Sequence, residues 1–235
     1  MTKIRQLLQS ALDIVMPRTC PVCGKALGST EPWLCHSCLN DMPRTHLYET
    51  EDNPMEQLFY GKTPQPIERA VGLFWYERTS SYAVILHDIK YRHMPRMGQW
   101  LAAMAMREMP NLAEVIDVVV PVPLHASKLA HRGYNQSEFI AQGVAQASGA
   151  TIVYAVDAVR RHDTQTHKGA LERWENVRDA YAIAPGMEQQ LQGKHLLVVD
   201  DVITTGSTLE ACVTQLQAIP QVKVSVFTLA VTRLS

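Results

Sequence analysis

Hydrophobic positions change their period along the chain, and the changes divide it. Ile4, Leu7, Leu8, Ala11, Leu12 and Val15 recur at helical spacing and predict an amphipathic helix over 3–15, ended by Pro17. Residues 43–69 are polar and broken by Pro54, Gly61, Pro64 and Pro66, which predicts a linker or loose loop. From about residue 70, short apolar runs alternate with helical patterns. Strands are predicted at 70–76, 115–120, 155–159, 196–199 and 222–231, and helices at 80–91, 96–108, 135–147 and 207–218. Tyr82, Ile85, Leu86 and Ile89 form the inner face of the first of these helices, and Asn135 with Glu138 marks the start of the third. Strands alternating with helices imply an α/β fold, a mainly parallel sheet flanked by helices. The expected division is a helix and cysteine module over 1–42, a linker over 43–69 and an α/β domain over 70–235.

The cysteines add a second chemistry. Cys20-Pro-Val-Cys23 and Cys35-His-Ser-Cys38 are two knuckles separated by eleven residues, a strong zinc spacing. Gly24 suits the tight turn that aims both thiolates of the first knuckle at one metal. A disulfide pair and a redox-active Cys-x-x-Cys are the competing readings. A reducing cytoplasm disfavours the first, and the second lacks its strand–helix context. Four thiolates close a tetrahedral site, so this zinc is expected to hold a fold rather than perform chemistry. His36 reads as a bystander and Cys212 as a buried core thiol.

Composition narrows the classes. With 235 residues, 46% hydrophobic and 19% charged, a collagen, a largely disordered chain and a disulfide-dense miniprotein are excluded. The formal charge of −1 gives no global case for nucleic acid or membrane, so such a case must be local. No apolar run reaches the roughly 18 residues of a membrane span. Gln6, Gln9, Ser10 and Asp13 interrupt the N-terminal apolar residues, so no signal peptide is read and a cytoplasmic protein is expected.

The densest signal is Leu196-Leu197-Val198-Val199-Asp200-Asp201-Val202-Ile203-Thr204-Thr205-Gly206-Ser207-Thr208. An apolar strand ends in two carboxylates, a Thr/Gly/Ser loop follows, and a helix begins. Ligands of open α/β sheets bind beyond the carboxyl ends of strands. The loop N–H groups, the hydroxyls and the helix N-terminus suit a phosphate monoester. The two acids would repel a phosphate. They suit vicinal sugar hydroxyls, helped by a divalent metal. A ribose 5-phosphate unit satisfies both halves. The loop is not a Walker A loop, since no Gly-Lys-Ser/Thr is present.

This segment resembles the PRPP (phosphoribosyl pyrophosphate) motif of type I phosphoribosyltransferases. With the cysteine module in front and Arg132-Gly133-Tyr134-Asn135-Gln136 in the middle, the chain resembles the ComF family, in its GntX-like branch, over about residues 15–233. The resemblance implies a phosphoribosyltransferase-like sheet with a small zinc-ribbon-like module. It implies that Asp200 and Asp201 meet the ribose hydroxyls of PRPP and its magnesium, and that Thr204, Thr205, Gly206, Ser207 and Thr208 hold the 5-phosphate. Val120 to His125 would form a pyrophosphate loop, completed by the basic residues Lys90, Lys128 and Arg132. Gly133, Tyr134, Asn135 and Gln136 belong to the family motif. Thr164, Gln165, Arg173 and Asn176 resemble a hood loop that closes over PRPP and keeps water from the activated ribosyl carbon.

The implied activity is phosphoribosyl transfer to an acceptor that the sequence does not identify. The alternatives are a PRPP-binding accessory protein without transfer, and a module that handles nucleic acid. The family's association with competence and DNA uptake makes single-stranded DNA and a DNA-import machinery candidate partners. Lys90, Tyr91, Arg92, Arg132 and Tyr134 are candidate contacts to a strand.

Overall fold

The computed structural model describes residues 18–159 and 180–233. The helix expected at 3–15 and the hood residues Thr164, Gln165, Arg173 and Asn176 lie outside them. In chain order the elements are α1 (His36–Asn40), a 3-10 turn (Leu47–Glu49), α2 (Pro54–Gln57), β1 (Ala70–Tyr76), α3 (Ala83–Tyr91), α4 (Pro95–Glu108) and α5 (Pro110–Val115). There follow β2 (Val118–Pro121), α6 (Ala126–Arg132), α7 (Gln136–Ser148), β3 (Thr151–Ile152), β4 (Val156–Ala158) and β5 (Tyr181–Ile183). Last come α8 (Met187–Leu191), β6 (His195–Ile203), α9 (Ser207–Leu216) and β7 (Lys223–Thr232).

Five strands pair in the order β1-β7-β6-β2-β3, and every pair is parallel. A parallel sheet covered on both faces is apolar on both, and Leu196, Leu197, Val198 and Val199 in the central strand are all at 0% exposure. Alternate residues serve opposite faces. Leu197, Val199 and Leu229 pack with α3, α4 and α7, whereas Leu196, Val198 and Val226 pack with α9. This is the architecture that the sequence implies. The strand order reverses between β2 and β6. The chain leaves β2 toward the β3 edge and leaves β6 toward the β1 edge, so the loops that follow the two strands diverge and open a crevice.

Three local expectations differ. Residues 43–69 are not loose. Leu47, Met55 and Phe59 are buried, and an Asn53–Glu56 capping box starts α2. The Asn53 side-chain amide also donates to the Leu47 and Ala70 carbonyls, and Arg69 pairs with Glu56 at 2.7 Å, which ties the segment to β1. Of the residues that suggested a linker, Pro54 opens α2, Gly61 lies in the turn that follows, and Pro64 and Pro66 lead on toward β1. The strand expected at 155–159 does not join the sheet; β4 pairs antiparallel with β5 as a separate ribbon. Finally, β6 does not end before its acids but runs through Asp200 and Asp201 to Ile203.

The cysteine module packs on the α3 side. Cys20, Leu34, Cys35, Cys38 and Met42 join the hydrophobic cluster that contains Ile85, Ile89 and Leu197. Tyr82 Oη donates to the Cys38 carbonyl at 2.9 Å.

Candidate functional site

Beyond the ends of β2 and β6 lies a cavity of about 190 Å³. Asp200, Asp201, Lys90, Lys128, Arg132, Ser137, Tyr181 and the loop from Val122 to His125 contribute to its wall. A second recess of about 40 Å³, formed by Asp200 and the run from Val202 to Leu209, adjoins it through Asp200, Val202 and Thr208. The structure thus brings together the acids, the Thr/Gly/Ser loop and the three basic residues.

The loop owes its shape to Gly206. That residue caps α9 with φ +82°, a left-handed conformation that favours glycine. Its carbonyl takes the Glu210 N–H, and Thr205 and Ser207 share a hydroxyl contact at 3.0 Å. Thr204 and Thr205 are exposed, and the N-terminus of α9 faces the recess. N–H groups and hydroxyls at a helix start make an anion site.

The acids are less free than a strand-end position suggests. Asp201 is 3% exposed, and Lys90 Nζ stands 3.1 Å from its Oδ2. That oxygen receives the ion pair but no well-angled hydrogen bond. Asp200 Oδ1 accepts from Ser137 Oγ at 2.9 Å and from the Asp201 N–H at 2.8 Å. Burial first and the charge of Asp201 second push the Asp200 carboxyl up to about 7. Burial likewise raises Asp201, against the opposing pull of Lys90. Two adjacent carboxyls with one resident ammonium form a site short of donors, which sugar hydroxyls can supply.

The Arg-Gly-Tyr-Asn-Gln motif is largely a brace for this wall. Gly133 ends α6 with φ +79°. Tyr134 Oη donates to the Ile89 carbonyl of α3. Asn135 caps α7 through the Ser137 N–H, and its amide donates to the Val122 carbonyl at 3.0 Å. Arg132 donates to Gln136 and lies over the Tyr91 ring, 5.1 Å from its centroid. Lys128 is on the exposed helix α6, which His125 caps. Lys90 faces Asp201 rather than standing with Lys128 as a free basic group.

Two wall residues escape the sequence reading. Ser137 lies one position past the motif, and no pattern assigned it a ligand. Tyr181 reaches the wall only because β4 and β5 pair; burial above all pushes its phenol up to about 12, so it stays a donor at neutral pH.

The second site is the cysteine cluster. One sulfur from each of Cys20, Cys23, Cys35 and Cys38 lies within 4.8 Å of the others, and Cys23 and Cys35 Sγ are 3.6 Å apart. Tetrahedral zinc with bonds of about 2.3 Å sets its sulfurs about 3.8 Å apart, so the donor set fits. Against burial, which opposes ionisation, the N–H groups of Cys35, Cys23 and Val22 hold the Cys20 thiol down at about 7. His36 is exposed and outside the cluster; its N–H donates to Glu31, which also takes the Gly28 N–H and so staples the turn. All five cysteines are free thiols and Cys212 is buried. Zinc held here would cross-link the two knuckles and leave no open coordination position.

Among the described residues no helix is long and apolar enough to cross a membrane.

No family model matches the chain. The solved structures that resemble it include an allosteric regulatory enzyme of purine biosynthesis and glutamine phosphoribosylpyrophosphate amidotransferase from B. subtilis. Each is 26% identical with a TM-score of 0.39, and each match covers 57% of this chain and about a quarter of the other. The fold assignment rests on the sheet order and not on these partial likenesses. Among curated proteins, DNA utilization protein YhgH of Salmonella typhimurium is 29% identical over 196 residues, 81% of this chain and 80% of its own. The YhgH protein of Escherichia coli K12 is 28% identical over the same length. Competence protein F of Haemophilus influenzae is 27% identical over 139 residues, 58% of this chain and 52% of its own. The likeness to DNA utilization protein YhgH runs over four-fifths of both chains and so concerns the architecture as a whole, while the likeness to competence protein F covers just over half of each.

Proposed function

We propose that the crevice binds PRPP with magnesium, and that the protein transfers the phosphoribosyl group to an acceptor. The observation that carries this reading is the junction of the two recesses at Asp200. A phosphate-type loop and a donor-poor carboxyl pair meet there in adjoining recesses. Thr204 to Thr208 would take the 5-phosphate, and Asp200 and Asp201 the ribose hydroxyls. Lys128 and Arg132 would face the pyrophosphate.

Transfer breaks the C1–O bond to pyrophosphate and forms a C1 bond to the acceptor. The bond electrons leave with pyrophosphate, and the acceptor supplies the new pair. Lys128 and Arg132 oppose the charge that gathers on the leaving group, while the carboxyls offset the positive charge at C1. Magnesium would offset the negative charge of the pyrophosphate.

Calorimetry with PRPP and magnesium tests the reading in wild type and in the Asp200→Asn/Asp201→Asn double variant. Saturable binding lost in the variant is expected. No binding to folded wild type would overturn it.

The names of the similar proteins extend the proposal to DNA uptake or utilisation, and the resemblance of the sequence motifs extends it to the GntX-like branch. A second reading, a single-stranded-DNA-binding accessory role, draws on one observation. Tyr91 is 53% exposed beside Arg132, with Arg92 next in the chain, an aromatic face near cations that suits an unpaired base. Lys90 and Tyr134 are engaged elsewhere, on Asp201 and the Ile89 carbonyl. Binding of an oligonucleotide that Tyr91→Ala weakens, without pyrophosphate release under any acceptor, would favour that reading.

A further inference from the structure

We propose that Tyr82 is a positioning residue for the ribose site: through helix α3, the four-cysteine cluster sets where Lys90 stands against Asp201. The inference rests on the reading of Asp200 and Asp201 as the ribose-binding pair.

Helix α3 joins two sites that, among the described residues, have no lining side chain in common. At its start Tyr82 makes no cap bond to its own helix. Its hydroxyl crosses instead to the carbonyl of Cys38, whose N–H donates to Cys35 Sγ. At its end Lys90 meets Asp201, and the Ile89 carbonyl takes the Tyr134 hydroxyl. Nine helical residues span about 13 Å. Ile85, Leu86 and Ile89 are at most 4% exposed, so the helix has little room to bend between its anchors. The same hydrophobic cluster holds Cys20, Cys35 and Cys38 together with Leu197 and Val199, the strand residues leading to Asp201.

Four sulfurs bound to one zinc keep the Cys38 carbonyl in place. Without the metal the thiols need not converge, and the Tyr82 anchor moves with them. A shift of the helix along its axis then reaches Lys90, whose contact with Asp201 at 3.1 Å is steep in distance. The ribose site is thereby built for the metal-loaded chain.

The test is a double-mutant cycle on PRPP affinity, by calorimetry with magnesium, in zinc-loaded wild type, Tyr82→Phe, Lys90→Met and the double variant. Phenylalanine keeps the ring and removes only the hydroxyl. Tyr82→Phe is expected to weaken PRPP by about 2- to 30-fold, the range for residues acting through packed elements. The double variant is expected to bind no more weakly than Lys90→Met alone. Unchanged affinity in Tyr82→Phe, or additive losses in the double variant, would overturn the inference.

A purely structural role would leave Lys90 where it is. The ammonium resonance of Lys90, read by NMR on 15N-lysine protein without PRPP, is therefore expected to move in Tyr82→Phe and on stepwise zinc chelation of wild type. A resonance that moves in neither refutes the coupling. If wild type fails to bind PRPP, the ribose reading falls, and the Lys90 resonance still decides whether α3 links the two sites.

Discussion

Ser137 Oγ stands 2.9 Å from Asp200 Oδ1, where the first turn of α7 meets the end of β6. The same oxygen accepts the Asp201 N–H, so two protein donors converge on Oδ1 and leave Oδ2 to a ligand. Asn135 sets the arrangement by starting α7 at that point. Its side chain caps the Ser137 N–H while its amide holds Val122 beyond β2. One buried asparagine thus fixes both walls of the crevice.

Ser137→Ala removes one of the two donors to Asp200 Oδ1, on a partly buried carboxyl. A hydrogen bond to a charged group contributes about 1.5–3 kcal/mol. We expect a loss in that range by urea unfolding at pH 8, with weaker PRPP binding. Ser137→Thr, which keeps the hydroxyl, is expected to recover most of the affinity. Equal loss in both variants would show that packing, not the hydrogen bond, matters here.

The raised Asp200 carboxyl makes a prediction about pH. In the unfolded chain an aspartate loses its proton near pH 4. In the fold, burial and the neighbouring charge delay that to about pH 7. Between these values the native state holds more protons than the unfolded one, so this group's contribution to stability falls as pH rises and is fully lost above about pH 7. Asp200→Asn carries no such dependence. Its melting temperature minus that of wild type should therefore grow from pH 4 to pH 8, in magnesium-free buffer. A difference that is flat with pH would place the proton elsewhere.

Zinc content and stability should move together. One zinc per chain is expected by elemental analysis, and chelation is expected to lower the melting temperature by several degrees. The reason is that Cys35 and Cys38 share the hydrophobic cluster of α3 and the sheet, so loosening them exposes Leu34 and Met42. Cys38→Ser should lose the metal, since a serine hydroxyl is a poor substitute for a buried thiolate. Cys212→Ser should keep it, because Cys212 lies on α9, on the opposite face of the sheet.

What the chain disclosed in advance was its local chemistry. The cysteine knuckles, the acids of β6 and the Gly206 turn are contiguous in sequence, and their spacing carries their geometry. The partners of those groups were harder to read, because they depend on how elements dock. Lys90 looked like a free cation until α3 came to rest with its last turn on Asp201. Tyr181 entered the wall through a ribbon pairing that three-residue strands barely signal. The 43–69 segment did carry a signal. Asn53 to Glu56 spells a capping box, and Leu47, Met55 and Phe59 are its buried anchors, but proline and glycine content masked them. An irregular segment tied down by one buried asparagine has no period to detect.

Gly143 offers the sharpest test of the packing that supports α7. On an exposed helix, glycine to alanine is a gain of about 1 kcal/mol, since alanine is the better helix former. Here α7 crosses α4 so closely that a Cβ on Gly143 would collide with the carbonyl of Gln99 and press on Ala102. Both are on α4, which is held by Met97, Leu101 and Ala105 at 0% exposure, so neither can yield without moving the helix. Overpacking of this kind typically costs about 1–3 kcal/mol, and backbone contact puts this site at the upper end. The collision outweighs the propensity gain, and Gly143→Ala should be destabilised by about 2 kcal/mol in urea unfolding. Because α7 carries Asn135 and Ser137 at its start, the displaced helix should also weaken PRPP binding. Gly149→Ala is the control on the same helix. Its φ of +80° makes alanine costly there too, yet a Cβ meets nothing within 4 Å. Its loss should appear in stability and leave the crevice intact. Equal effects of the two variants on affinity would mean that the α4–α7 contact does not position the site.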